Sequence, residues 1–235
     1  MTTVHGDRAS LNGSLDRDVV FDRDGSGIAA RRHLTRAAPH MKGFDHDLIE
    51  NGIRMVFEGL GLDPADPRIR DTPGRYARMC DEIFAGLLVD ERELLSTVFD
   101  EQHEEIVVVR KIPFSSVCEH HLVPFVGQAH IAYLPNADGN VAGLSKIVRL
   151  VEVTAKRPSL QERMTNHIAD TLTEGLRARG ALVVVEAEHM CVAIRGVCKP
   201  GSLTVTSAAR GSMRADPAAR SEALFLLRGL NEHAG

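Results

Sequence analysis

At 235 residues and 25.6 kDa, with 43% hydrophobic and 26% charged residues, the chain is large enough for one good core and ordinary in composition. A net charge of −4 and a pI near 6.3 exclude a broadly basic nucleic-acid binder, and zero Trp with 4% aromatics leaves no base-stacking platform. Cys80, Cys118, Cys191 and Cys198 are too scattered for a disulfide-stapled secreted module, and no run of about 18 apolar residues suggests a membrane span. Free thiols in a cytoplasmic protein are therefore expected, and an anionic substrate would need a local basic pocket.

Residues 1–42 are rich in Thr, Gly, Asp, Arg and Ser without sustained periodicity, which reads as a mobile tail with a short helix near Ile28–Leu34. From Asp45 the spacing of Leu48, Ile49, Ile53, Val56, Phe57 and Leu60 predicts a helix stopped by Gly61 and Pro64. A second helix begins at Thr72-Pro73, with Thr72 as its N-cap and Cys80 inside its apolar stripe as a core residue. This pair makes 43–100 an N-terminal helical region, followed by a second domain over 101–235.

In that second region, the β-branched run 105–112 and the alternating segment 126–134 predict two strands, with turn residues at 136–140. Helices are expected at about 144–155 and 160–179. The second is announced by a capping box, Ser159 to Glu162, and closed by Gly180. Strands follow at 181–188 and 191–197, then a tip at 199–202 leading into 203–207, and Asp216-Pro217 opens a last helix to about Leu230. Strands in pairs rather than in βαβ alternation predict an α+β fold with an antiparallel sheet.

The chemistry concentrates in Cys118-Glu119-His120-His121 and in His189-Met190-Cys191. Cys118, His121 and Cys191 make a Cys₂His set, the ligand count of a catalytic zinc with one position open to water. His120 and His189 remain for proton transfer. Two core cysteines are the alternative, and the spacing alone leaves both readings open; Cys198, near the tip, is a weaker ligand candidate. Ser145, Lys146 and Arg149 share the start of a predicted helix, where N–H groups and the dipole favour anions. Arg195 falls in an apolar run in which an idle charge would be costly. Together these four suggest a phosphorylated substrate. Glu162, with Gln161 beside it, is either a helix-capping group or the acceptor for a donor pair on a base such as guanine.

Cys118-Glu119-His120-His121-Leu122-Val123-Pro124-Phe125, Gly143-Leu144-Ser145-Lys146, Gln161-Glu162-Arg163-Met164-Thr165 and His189-Met190-Cys191 resemble the signature segments of the GTP cyclohydrolase I family. Asp71-Thr72-Pro73-Gly74-Arg75 and Thr206-Ser207 also fit, and the likeness spans about residues 45–232. It implies a tunnelling fold, an antiparallel sheet with helices on one face and an N-terminal helical pair. Subunits would close into a pentameric β-barrel, two pentamers would stack into a homodecamer, and sites would lie at subunit interfaces. It further implies Zn2+ on Cys118, His121 and Cys191. Ser145, Lys146, Arg149 and Arg195 would hold the triphosphate of GTP, and Gln161 and Glu162 the guanine. His120 would protonate the imidazole ring as activated water attacks C8, and His189 would assist the later steps, giving formate and 7,8-dihydroneopterin triphosphate. Ser159-Leu160 departs from the Gln and Val commoner in the family, and Cys198 stands where Arg or Gln is commoner. A cysteine-nucleophile enzyme of the same fold reducing a nitrile, and a non-catalytic nucleotide-binding paralogue, are the competing readings.

Overall fold

The computed structural model describes residues 43–229. The expected tail and its short helix lie outside them. Helix α1 (His46–Gly59) starts where the Asp45 carboxylate accepts the Leu48 N–H at 2.9 Å, and it packs on α2 (Thr72–Ile83). Asp71 rather than Thr72 occupies the N-cap of α2; the Thr72 hydroxyl instead accepts from Arg75. Cys80 is buried in that helix as expected, and burial pushes its thiol pKa up. The apolar stripe of α1 is only partly used: Leu48 and Leu60 are each 69% exposed.

Two short 3-10 turns lead into β1 (Val98–Asp100), which pairs with β4 (Asn140–Ala142). Between these lie the long strands β2 (Val107–Cys118) and β3 (Pro124–Leu134), longer than their apolar runs because pairing extends through Phe114–Val117. Then come α3 (Leu144–Ala155), β5 (Pro158–Ser159), α4 (Gln161–Leu176), β6 (Gly180–His189), α5 (Met190–Ala193), β7 (Leu203–Gly211), α6 (Ser212–Ala215) and α7 (Pro217–Arg228). The main sheet has the order β5-β2-β3-β6-β7, antiparallel except for the two-residue parallel contact of β5 with β2.

Side chains alternate across this sheet. Phe125, Ala129, Ile131 and Tyr133 of β3 share one face with Val183, Val185 and Ala187 of β6, packed against Ile147, Leu150 and Val151 of α3 and Met164, Ile168 and Leu172 of α4. A bulge between Val109 and Ile112, with Lys111 at φ 56°, switches the parity of β2, so Val107, Val109, Ile112, Phe114 and Cys118 all face the same core. Ala132 and Leu182 point the other way, where Met213 of α6 and Ala223 and Leu227 of α7 cover them. The expectation of helices on one face is therefore corrected, because the second face is apolar at the Ala132–Leu182 end of β3 and β6 and needs a cover there.

Three local expectations also change. Residues 191–197 do not form a strand. The chain turns through α5 and then through Gly196 at φ 59° and Cys198 at φ 49°, closed by Lys199 N–H on the Val192 carbonyl. The Ser159 capping box does not form: Ser159 lies in β5, its hydroxyl donates to the Leu160 carbonyl, and Leu160 is the N-cap. Helix α4 ends at Arg177 in the left-handed conformation, while Gly180 opens β6. The last helix starts as read, with Asp216 accepting from Ala218 N–H.

Candidate active site

Cys118 is the last residue of β2 and 4% exposed. Its N–H and carbonyl close the turn that follows, bonding Val123 O and Leu122 N, with Leu122 at φ 54°. Glu119 N–H donates to Ser159 O, and the Glu119 carboxylate pairs with Arg163 in the first turn of α4. The turn carrying His120 and His121 is thus fastened to the sheet on one side and to α4 on the other. Both imidazoles are exposed.

Cys191 reaches the same place from α5. Its thiol is hydrogen-bonded with that of Cys118, and burial first, then this neighbour, push its pKa up. The short helix after β6 is what brings Cys191 to the end of β2. His121 stands on the same turn as Cys118, but its Nε2 lies 2.9 Å from Nη1 of Arg195. Among the described residues no three His, Cys, Asp or Glu side chains gather closely enough to hold a metal. Arg195 is exposed in the loop after α5, so the cost of a charge in an apolar strand does not apply to it.

His189 ends β6 with the parity of Val185 and Ala187, and so faces α4. Its ring stacks on Phe125 with centroids 4.7 Å apart and planes 2° from parallel, and its Nε2 lies 2.7 Å from Oε1 of Gln161. Burial lowers its pKa, opposed by the nearby Glu162 carboxylate. Glu162 itself is exposed at the start of α4. Gln161 is different: 1% exposed, its amide nitrogen shares two protons among three acceptors, Val185 O, Thr204 O and Thr206 Oγ1. The side chain to which the resemblance gives a guanine contact is therefore turned into the protein, toward β6 and β7.

Ser145, Lys146 and Arg149 open α3, as the spacing predicts. Within one chain they are remote from the thiols. The 12 residues of α3 span about 18 Å, and it is the far end of this helix that leads through β5 to Cys118. None of the three makes a side-chain hydrogen bond or ion pair among the described residues.

Sequence reasoning missed the fastenings around the site. Glu91, 7% exposed, pairs with Arg157 at 2.7 Å and with His167. Arg157 also donates to Gly86 O and Val89 O, and its own carbonyl accepts from Ser116. These contacts join positions up to 76 residues apart, and no spacing rule could have found them.

A sequence profile of the family described as GTP cyclohydrolase I matches residues 49–228. The GTP cyclohydrolase 1 of Mycobacterium leprae (strain Br4923) is 53% identical over 191 residues, 81% of this chain and 93% of that protein. That of Halalkalibacterium halodurans is 53% identical over 189 residues, 80% of this chain and all of that protein. That of Brevibacillus brevis is 52% identical over 188 residues, again 80% of this chain and all of the relative. Among solved structures, that of the archaeosine synthase QueF-Like in the apo form overlaps 45% of this chain and 93% of that one. Its TM-score is 0.38 at 16% identity, too distant to bear on the site. With the profile spanning most of the described fold and relatives identical at half their positions, the chain belongs to the GTP cyclohydrolase I family.

Proposed function

We propose that the chain hydrolyses GTP with zinc, opening the purine, releasing formate and reclosing the product as 7,8-dihydroneopterin 3'-triphosphate. The observation that carries this reading is the meeting of the Cys118 and Cys191 thiols beside the half-buried ring of His189. Two facing thiols at the rigid end of a sheet suit a soft divalent cation, and His121, on the turn leaving Cys118, completes a Cys₂His set once its ring leaves Arg195. Bound there, zinc supplies Lewis-acid activation of water near neutral pH.

The remaining chemistry belongs to side chains. His120, exposed beside His121, gives a proton to the imidazole nitrogen of the purine as C8 is attacked, and His189 moves protons in the ribose rearrangement and ring closure. The exposed Glu162 carboxylate, projecting from the start of α4, accepts the paired N–H groups of guanine. Ser145, Lys146, Arg149 and Arg195 hold the triphosphate, combining guanidinium, ammonium and the helix N-terminus.

Because the start of α3 lies a helix length from the thiols of its own chain, Arg195 comes from the same chain as the thiols, while the α3 part of the grip on a substrate reacting there comes from a neighbouring copy. Two further features support assembly. The sheet has open edges, β7 on one side and most of β2 on the other, which pairing between copies would close. The outer face of α1 exposes Leu48, Met55, Val56 and Leu60, an apolar surface that a neighbour would cover. We assign these to a pentameric barrel doubled into a homodecamer and working in the cytoplasm; no helix among the described residues is long and apolar enough to cross a membrane.

The test is incubation of the zinc-loaded protein with GTP. The expected result is formate together with a fluorescent pterin after oxidation and dephosphorylation. Bound zinc with neither product would overturn the assignment.

A further inference from the structure

We propose that Gln161 is a positioning residue: its side-chain carbonyl takes the Nε2–H of His189, so that the ring presents Nδ1 to the reacting substrate. The mechanistic half of this inference rests on the GTP-opening reaction proposed above; the orientation of the ring does not.

The direction of the Gln161 amide is set by what surrounds it. Its nitrogen lies 3.0 Å from the Val185 carbonyl, 3.0 Å from the Thr204 carbonyl and 3.1 Å from the Thr206 hydroxyl. Carbonyl oxygens only accept, and the reversed amide would set oxygen against two of them in a site closed to water. The oxygen must therefore be the atom 2.7 Å from His189 Nε2. Since that oxygen has no proton to give, Nε2 carries one, whether the imidazole is neutral or charged. Stacking on Phe125, which is fully buried, fixes the plane of the ring. Rotation and tautomer are thus both determined, and Nδ1 is the nitrogen left for chemistry.

A second layer aims Gln161 in turn. The Thr165 hydroxyl donates to the Gln161 main-chain carbonyl at 2.7 Å, so in its 2.6 Å contact with Thr206 it accepts. Thr206 then gives its proton to Thr165 and turns a lone pair toward the Gln161 amide nitrogen. Both threonines face inward from α4 and β7, and the two carbonyls belong to β6 and β7, so the ring of His189 is referenced to three elements at once. Both N–H protons of Gln161 and one lone pair of its oxygen are thus committed within the protein.

The experiment compares the zinc-loaded wild type with Gln161→Leu, Thr206→Val and Thr206→Ser, each checked for fold by circular dichroism and for assembly by size. Gln161→Leu should lower kcat about 10- to 100-fold while KM for GTP moves less than about threefold. Thr206→Val should lower kcat roughly three- to tenfold, and Thr206→Ser, which keeps the hydroxyl, should restore it. In the wild type, nitrogen NMR of labelled histidines should show a proton-bearing Nε2 on His189, a signature lost in Gln161→Leu. A tenfold rise in KM with kcat unchanged would return Gln161 to substrate binding and overturn the proposal, as would a proton found on Nδ1 alone. The histidine spectrum is recorded without GTP. If the wild type releases no formate yet shows Nε2–H, the reaction assignment falls and the ring orientation stands. Should Gln161→Leu fail to fold, the Thr206 pair decides the matter by its own kcat and rescue.

Discussion

The two ends of the α3 side of the sheet are built in opposite ways. At the Cys118 end, the thiols, His189, Gln161 and the Glu119–Arg163 pair interlock within one chain, with Cys118 and Gln161 buried and the others half-buried. At the Ser145 end, hydroxyl, ammonium and guanidinium stand at a helix start without side-chain partners among the described residues. Bond-making groups need fixed geometry and come ready assembled. A triphosphate grip needs only concentrated positive charge, and it can be supplied by a separate body.

That contrast can be broken most directly at the thiols. Cys118→Ser or Cys191→Ser should reduce formate release at least about 1000-fold and lower bound zinc measured by mass spectrometry; a variant that keeps its zinc and its rate would detach the sulfurs from the chemistry. Next in size is a mixing experiment. Cys118→Ser and Lys146→Ala, each nearly inactive alone, should recover about a quarter of wild-type activity when co-assembled in equal amounts, because random pairing of neighbours leaves about one site in four intact. No recovery would place both halves of the site on one chain.

A backbone test sharpens the interlocked side. A methyl on Gly86 would lie 2.0 Å from the Val153 carbonyl and 2.8 Å from that of Lys156. Gly86→Ala should therefore cost about 1–3 kcal/mol and lower Tm by roughly 3–10 °C in thermal unfolding. Smaller still is the expected effect of cutting Glu119 from Arg163. Either alanine variant should lower kcat about threefold to tenfold, and the exchanged pair Glu119→Arg with Arg163→Glu should recover part of it, read as a double-mutant cycle. The least effect belongs to Cys198, which is exposed. Alkylation followed by mass spectrometry should mark it first and leave activity intact. Cys80, buried and with its thiol pKa raised, holds less thiolate at any given pH and should be marked last.

Much of this organisation was legible in the residues. The helix starts at Asp45 and Asp216, the strand pairs and the signature segments were readable because caps, period-two alternation and motif spacing are local signals. The reading of residues 191–197 as a strand failed because Val192, Ala193 and Ile194 look like one, while the turn depends on positive φ at Gly196 and on Cys198, a residue that rarely adopts it. The capping box failed because Ser159 is recruited by a strand remote in sequence, Val117–Cys118. Gln161 looked like a ligand by its place in the motif; only the positions of Val185, Thr204 and Thr206 reveal which way it faces. Buried charge at Glu91 was equally invisible, since its partners come from loops and helices folded over it.

The carbonyl of Thr204 that steadies Gln161 lies on β7, the strand with an open outer edge. Docking a neighbour along that edge would stiffen the very rail from which the histidine is hung, tying quaternary closure to proton handling without any dedicated hinge. Dilution to separated subunits should then silence turnover well before the circular dichroism of the sheet is lost.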